Sequence, residues 1–387
     1  MSDGPPFGPL REGAIVTDLT AETGGAPTPS ERVKKPRKTY RQDWPAYNLA
    51  QARELRDVVY LAQDLCDTIP EEMSFQEPRG RHRIPLRDVA IPTILKAYHG
   101  LPGRRLGSLR DGGPLADLHD AGFISRAMHW NSVGNALRNE RMSEVFQYLV
   151  EASAMPLIPV EQGDFSVEQG DFSIDASVVN GAGRVHEGDP RYRGQSEHRI
   201  AKVHHVIGNR SGIVTAAAIE GPGAAESPML PGLIYTTSKS FRIRNVFGDM
   251  AYTDYRSYRV VEALGGQGWF RFKETHTGRG GGAFGRMYHW AAAHPDEFFA
   301  MYFKRSNVEA VISAWKRTLL GGLRHKTETL RSKKETPMRN ELYSVLVAHN
   351  IRVVIKFMYL LGIAPNFLPD AKDAPAYPSD DPLPLAH

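Results

Sequence analysis

The order of strand-like and helix-like segments after residue 172 constrains the fold of this chain most strongly. Residues 172–179 are rich in β-forming side chains, residues 199–207 alternate in polarity, and 213–219 follow a turn rich in glycine. Three successive strands of this kind predict an antiparallel start to a sheet. After residue 225, helices predicted at 227–239 and 254–264 alternate with strands predicted at 245–250 and 269–273. This alternation predicts a parallel continuation, so we expect an α/β protein with a mixed sheet.

The chain before this sheet is predicted to be helical from residue 40 to 155. Residues 48–66 place their apolar side chains on one helix face, and a second helical region at 81–98 is interrupted by prolines. Residues 115–122 and 130–138 resemble two helices joined by a turn. A DNA-reading helix-turn-helix, with Asn131, Asn135 and Arg138 toward the groove, is one interpretation, and a plain helical hairpin is the other.

Both ends of the chain are predicted to be disordered. Residues 1–39 form a basic arm with little apolar periodicity, and residues 363–387 are rich in proline and aspartate. The arm and its border carry a basic cluster that either contacts DNA or is a solvated tail: Arg32, Lys34, Lys35, Arg37, Lys38 and Arg41. The core of the chain is therefore expected to have a helical region, 40–155, and a sheet domain, 170–362.

Composition excludes several classes of protein. The net charge of +4 and the pI near 9.0 favour an acidic partner mildly. The single cysteine, Cys66, excludes an internal disulfide framework and a cysteine-rich zinc site. We see no apolar run that approaches a membrane span and no signal peptide, so we expect a cytoplasmic protein without a membrane partner.

A polar stripe between residues 302 and 316 is the most informative motif. At 3.6 residues per turn, Tyr302, Arg305, Glu309 and Lys316 would lie within an arc of about 60° on one helix face. One carboxylate flanked by a hydroxyl and two cations suits a surface that grips a polyanion beside a metal ion. Alternatively, Ser306 and Glu309 form a capping box, which would interrupt the helix between Arg305 and Ser306.

These four residues resemble the Tyr-x2-Arg-x3-Glu-x6-Lys signature of insertion-sequence DDE transposases of the YREK group. The resemblance covers about residues 172–355 and implies an RNase H-like sheet flanked by helices. It also implies that Glu309 is the third metal-binding carboxylate, that the other three residues handle transposon-end DNA, and that two aspartates lie upstream. Residues 42–51 resemble the family's N-terminal region more weakly.

The two upstream aspartates are predicted to be Asp175 and Asp249. Asp175 lies within an apolar strand, where a carboxylate is costly unless it is paired or binds a metal. Asp249 follows a predicted strand, and Asp254 is better placed to cap the next helix. A tandem duplication over residues 160–173 places Asp164 and Asp171 nearby, and we expect both to be dispensable.

The resemblance implies two Mg²⁺ ions, with Mn²⁺ as a substitute, held by Asp175, Asp249 and Glu309. The histidines His186, His198, His204 and His205 lack zinc-site spacing and are expected to be surface or DNA-facing groups. Lys202 and His204 share a strand face and either contact phosphate or line an exposed edge.

The short interval from Asp249 to Glu309 implies that the β insertion of some relatives is absent or reduced, which puts a hairpin mechanism in doubt. That insertion often supplies an aromatic side chain that holds a flipped base. Trp290 is the candidate replacement, although core packing is the favoured role for it. We expect residues 278–285 to be a flexible loop.

The predicted function is cleavage at insertion-sequence ends and strand transfer into target DNA. The expected partners are terminal inverted repeats, target DNA and a second copy of the chain in a homodimer. The alternatives are a catalytically inactive DNA-binding descendant and a metal-dependent nuclease of the same fold without strand transfer.

Overall fold

The computed structural model describes residues 43–73, 84–108, 110, 112–162, 170–181, 200–320 and 330–368. A five-stranded sheet lies at its centre, built from β1 Asp171–Asn180, β2 Ile200–Gly208, β3 Val214–Glu220, β4 Asn245–Gly248 and β5 Gln267–Phe270. The strand order is β3-β2-β1-β4-β5. The first three strands pair antiparallel, whereas β4 pairs parallel with both β1 and β5. The predicted mixed sheet is therefore confirmed.

Helices flank this sheet and make up the region before it. Within the described residues they are α1 Trp44–Cys66, α2 Leu86–Tyr98, α3 Pro114–Asp120, α4 Trp130–Leu137, α5 Arg141–Ala154, α6 Ile158–Gln162, α7 Met229–Ser238, α8 Tyr255–Ala263, α9 Gly282–Ala293, α10 Pro295–Tyr302, α11 Ser306–Trp315 and α12 Glu335–Leu361. The α/β class, the RNase H-like arrangement and the N-terminal helical region agree with the prediction.

Residues 282–302 form two helices, α9 and α10, and not one. The break falls at His294 and Pro295, because a proline cannot donate the backbone hydrogen bond that would continue α9. The loop predicted at 278–285 is also shorter than expected. It ends at Gly281, whose φ of 64° suits glycine, and α9 begins at Gly282.

Helix α12 joins the N-terminal helices to the sheet. It packs against α1, α2 and α5 on one side and against β2 and β3 on the other. The buried side chain of Asn350 ties these layers together: its amide nitrogen donates to Val214 O at 2.7 Å and to Ser153 Oγ at 2.9 Å, and its oxygen accepts from Val214 N at 2.9 Å. The domain boundaries stay a prediction, but the helical region and the sheet share a core through α12.

Helix α12 also bears on the expected absence of a membrane span. By length and composition alone, its 27 residues pass the test for a spanning helix, contrary to our expectation from the sequence. However, 67 % of its most apolar window is buried inside the protein. We therefore describe it as a core helix.

Helices α3 and α4 correspond to the two segments of the helix-turn-helix hypothesis. Asn131, Asn135 and Arg138 are all exposed at α4, as that hypothesis requires, and Arg138 donates to Asn135 Oδ1 at 3.0 Å. A plain hairpin with a solvated face would look the same, so both interpretations stand. Several other predictions lie outside the described residues: the arm and its basic cluster, Asp164, His186, His198 and most of the C-terminal tail.

Candidate active site

The strand register brings Asp175 and Asp249 together. In the parallel pair of β1 and β4, Asp171 is opposite Asn245 and Ser173 is opposite Phe247. Asp249 follows β4 directly with an extended backbone, so continuing the register by two residues places it beside Asp175. Because alternate residues of a strand share a face, both aspartates project to the same side of the sheet.

Each aspartate accepts hydrogen bonds from the backbone that follows it. Ala176 N donates to Asp175 Oδ1 at 2.8 Å, and Ala251 N donates to Asp249 Oδ1 at 2.8 Å. The second bond makes Asp249 the cap of a short 3-10 turn, Met250–Tyr252, while Asp254 caps α8 as predicted. Capping by Asp249 accounts for only one of its oxygens and does not replace a role at the site.

The two carboxyl groups lie in an environment that disfavours their negative charge. Burial raises the pKa of Asp175 to about 6, and the charges of Asp249 and Glu226 act in the same direction. Burial also raises the pKa of Asp249, again with a contribution from Glu226. The Arg305 guanidinium opposes both shifts. Crowded carboxylates of this kind gain from a nearby cation.

Arg305 connects the third predicted acid to this pair. Its guanidinium forms an ion pair with Glu309 at 3.2 Å, and its charge lowers the pKa of both Asp175 and Asp249. Glu309 lies on α11, which packs against β1 and is anchored by the buried side chains of Val308 and Trp315. The carboxylate of Glu309 itself is 59 % exposed. Arg305 thus pairs with one of the sequence-predicted acids and acts electrostatically on the other two.

The polar stripe does not lie on one continuous helix. Residues 303–305 form a 3-10 turn between α10 and α11, and residues 316–320 form a π-helical turn after α11. The break lies where a capping box would put it, but α11 has no side-chain cap hydrogen bond, and Glu309 pairs with Arg305 instead. Neither sequence interpretation of this stretch is right in full.

The two remaining residues of the stripe, Tyr302 and Lys316, also make contacts within the protein. Tyr302 is 6 % exposed, and the Arg305 guanidinium lies 5.5 Å from its ring centre. Lys316 Nζ donates to Val178 O in β1 at 2.9 Å. Lys316 therefore contacts the strand that carries Asp175.

The two β2 candidates for DNA contact are differently placed. Lys202 Nζ forms an ion pair with Glu226 at 2.8 Å and donates to Ala224 O at 3.0 Å, and its side chain is 14 % exposed. His204 and His205 are both fully buried, which corrects the expectation that they are surface groups. Desolvation lowers the pKa of the two imidazoles to about 4 and about 3, so both are neutral at pH 7. A buried neutral ring cannot contact phosphate as a cation.

The contacts of Asp171 and Trp290 are with neighbouring side chains of the protein interior. Asn245 Nδ2 donates to Asp171 Oδ1 at 2.6 Å, and Lys304 lies 3.7 Å from the other oxygen of Asp171, which is the first residue of β1. Trp290 packs edge to face on Trp269 with ring centres 5.7 Å apart. These contacts agree with a packing role for Trp290 and give the buried Asp171 two structural partners, and its dispensability for the reaction stays a prediction.

Asp175 and Asp249 have the donor chemistry that a hard divalent cation needs, but they do not form a complete metal site by themselves. Asp175 and Asp249 offer adjacent carboxylate oxygens with unbalanced negative charge, which is the donor chemistry that Mg²⁺ prefers. Among the described residues, no three side chains of His, Cys, Asp or Glu are arranged as a complete metal site. Glu226, which sequence reasoning missed, acts electrostatically on both aspartates. In the sequence, only the negative charge of Glu226 could have indicated this effect, because Glu226 lies in a loop without a motif or periodicity.

Comparison with curated proteins gives no match, and neither does comparison with solved structures. A family model described as a transposase DDE domain matches residues 168–351. The matched range begins just before β1, ends within α12 and includes Asp175, Asp249 and Glu309. The part of the chain that builds the sheet and groups the three acids is therefore similar to a transposase DDE domain, and this match supports a DDE transposase.

Proposed function

We propose that the chain is a DNA transposase of the YREK group, which cleaves DNA at the ends of an insertion sequence and joins those ends to target DNA. One observation carries the proposal: the parallel register of β1 and β4 places Asp249, just after β4, beside Asp175, and Arg305, which pairs with Glu309, acts electrostatically on both. The family match over residues 168–351 supports the same activity at a coarser level.

The three acids would hold the metal. Bound Mg²⁺, with Mn²⁺ as a substitute, would supply activation of a water or 3′-hydroxyl and would neutralise charge on the leaving oxygen. Asp175 and Asp249 offer their oxygens directly. Glu309 would join them once its ion pair with Arg305 opens, which its 59 % exposed side chain permits.

Opening that ion pair also gives the cations of the stripe their role. The guanidinium of Arg305 would turn from Glu309 to a DNA phosphate, for which its fork of donors is suited. The Arg305 guanidinium lies 5.5 Å from the ring centre of Tyr302, and Lys316 provides a second cation along β1. Lys202 would reach DNA only by leaving Glu226, and the buried ring of His204 does not support a contact.

The partners follow from the reaction. Terminal inverted repeats and target DNA are the substrates, and two ends are paired by a homodimer. The protein acts in the cytoplasm of a bacterial cell, at the nucleoid.

A strand-transfer assay with pre-cut end DNA and a supercoiled target tests the proposal. The wild-type chain should join ends in Mg²⁺ or Mn²⁺, and Asp249→Asn should abolish joining. Glu262→Gln is a matched control, because Glu262 pairs with Arg286 on an exposed surface of α8. Cleavage of uncut ends without joining would identify a nuclease, and end binding without either reaction would identify an inactive descendant.

A further inference from the structure

The row of residues that includes the two aspartates continues onto β5. In the parallel pair of β4 and β5, Gly248 is opposite Phe270, and these are the last residues of their strands. Continuing this register by one residue places Arg271 beside Asp249, as the pairing of β1 and β4 places Asp249 beside Asp175. Neighbouring strands lie about 4.8 Å apart, so two acids and then a cation follow one another across the sheet.

The direction of the Arg271 side chain follows from the residues on either side of it. Phe270 and Phe272 both pack against Tyr258 of α8, with ring centres 5.2 Å and 5.6 Å from the tyrosine ring, so both point to one face of the sheet. Side chains alternate along an extended backbone. Arg271 therefore points to the other face, which it shares with Trp269.

A hydrogen bond identifies that other face as the face of the aspartates. Trp269 Nε1 donates to Asn245 Oδ1 at 2.8 Å, so Trp269 and Asn245 lie on the same side of the sheet. Asn245 begins β4 and lies four residues before Asp249, an even number, so both point to the same side. Arg271 therefore projects to the side on which the two aspartates project.

The elements that cover this face agree with the placement. Helix α10, which ends at Tyr302, packs against β5, and the turn 303–305 packs against β4. Burial raises the pKa of Tyr302, the charges of Arg305 and Arg271 lower it, and the charge of Asp249 raises it. The buried Tyr302 hydroxyl thus lies near one acid and two cations, and Arg271 is one of them.

Arg271 differs from Arg305 in that no acid holds it. Arg305 pairs with Glu309 at 3.2 Å, whereas no carboxylate in the described ranges forms an ion pair with the half-buried Arg271 guanidinium. The backbone at this position is fixed, because Thr253 Oγ1, in the turn that follows Asp249, donates to Arg271 O at 2.6 Å. A fixed, half-buried cation without an acid partner suits an anionic ligand.

We propose that Arg271 binds a phosphate of the end DNA next to the reacting phosphate, on the β5 side of the two aspartates. The inference rests on the proposed function, because that function brings the reacting phosphate to Asp175 and Asp249. A DNA strand that crosses the sheet from β1 toward β5 then places its neighbouring phosphate at Arg271. The fork of donors on the guanidinium matches the oxygens of one phosphate, and this contact sets the path of the strand.

Fluorescence anisotropy with the full chain and a labelled, pre-cut end duplex in Ca²⁺ tests this. Ca²⁺ binds oxygen ligands and offsets the charge of the aspartates, and without target DNA no joining occurs. Losing one phosphate contact lowers the slope of log affinity against log salt by about 0.9, so the affinity ratio of wild type to Arg271→Ala should fall about 3.5-fold between about 50 and about 200 mM salt. Arg271→Lys keeps the charge, so its ratio should change less than about 1.5-fold.

Arg242→Ala is the matched control. Arg242 is exposed and lies three residues before β4, whereas Asp249 follows the other end of that strand. Its ratio to wild type should therefore also change less than about 1.5-fold over the same salt range. A wild-type slope in Arg271→Ala would overturn the inference. An equal loss of slope in Arg271→Ala and Arg271→Lys would overturn it too, because packing and not charge would then support DNA binding.

Joining of pre-cut ends to a target in Mg²⁺ by the wild-type chain separates this inference from the proposed function. If the wild type joins ends and Arg271→Ala keeps the wild-type slope, the role of Arg271 is refuted and the transposase proposal stands. If Arg271→Ala loses the slope and the wild type neither cleaves nor joins ends, Arg271 contacts DNA and the transposase proposal is refuted. A wild-type chain that does not bind the end duplex refutes both.

Discussion

Replacing Arg305 with alanine should affect DNA binding only when a divalent cation is present. Without a cation, the guanidinium is held by Glu309 at 3.2 Å and by the charges of Asp175 and Asp249. A bound cation neutralises these acids and so frees the guanidinium for a phosphate. The contribution of Arg305 to DNA affinity should therefore depend on the cation.

The magnitude follows from counterion release. One phosphate contact on duplex DNA contributes about 0.9 to the slope of log affinity against log salt. Between about 50 and about 200 mM salt, the affinity ratio of wild type to Arg305→Ala should therefore fall about 3.5-fold when a cation is bound. Without a cation the same ratio should change less than about 1.5-fold, because the acids already hold the guanidinium.

Fluorescence anisotropy with a labelled, pre-cut end duplex measures both slopes. Ca²⁺ serves as the cation because it binds oxygen ligands, and no target DNA is added, so joining cannot occur. Arg286→Ala is the control, since Arg286 pairs with Glu262 on an exposed part of α8 and α9. Equal slopes for wild type and Arg305→Ala in Ca²⁺ would mean that Arg305 does not contact DNA. An equal loss of slope with and without Ca²⁺ would mean that the acids do not hold it.

Three further predictions concern the site and the core. Asp175→Asn should abolish end cleavage in a gel assay while Asp171→Asn retains it, and the reverse would move the site within the duplicated stretch. Asn350→Leu leaves the amide and carbonyl of Val214 without their side-chain partner, so the free energy of unfolding in urea should fall by about 3 kcal/mol. Burial raises the pKa of Glu151 to about 7 from 4.5, so the wild-type free energy of unfolding should fall as pH rises between these values, by at most about 3 kcal/mol. Glu151→Gln should remove this fall, and an unchanged pH profile would show that Glu151 is not its source.

The strands could be predicted because polarity alternates along them and because glycine-rich turns separate them. All five strands lie within a few residues of their predicted positions. The helices were harder to divide. The break at Pro295 follows from proline chemistry and was readable, whereas the 3-10 turn at 303–305 has no proline or glycine to announce it.

Of the candidate site, the sequence predicts the pair of aspartates, because both lie in or next to strands that pair with each other. Asp175 and Asp249 each stand out from an apolar strand or its end, and the parallel pairing then brings them together. Glu226 could not be foreseen in this way, because a loop has no period that fixes which residue points inward. The burial of His204 and His205 was also unreadable, since neutral imidazoles in a strand look the same in sequence whether a helix covers them or not.

The shared core around α12 has a consequence for dissecting the protein. A chain that started at residue 170 would keep every acid of the site but would lose α1, α2 and α5, and the face of α12 that they cover would meet water. An apolar face exposed in this way would favour aggregation over folding. We therefore expect the sheet domain not to fold without the helices that precede it, and any DNA bound by those helices would keep one orientation relative to Asp175.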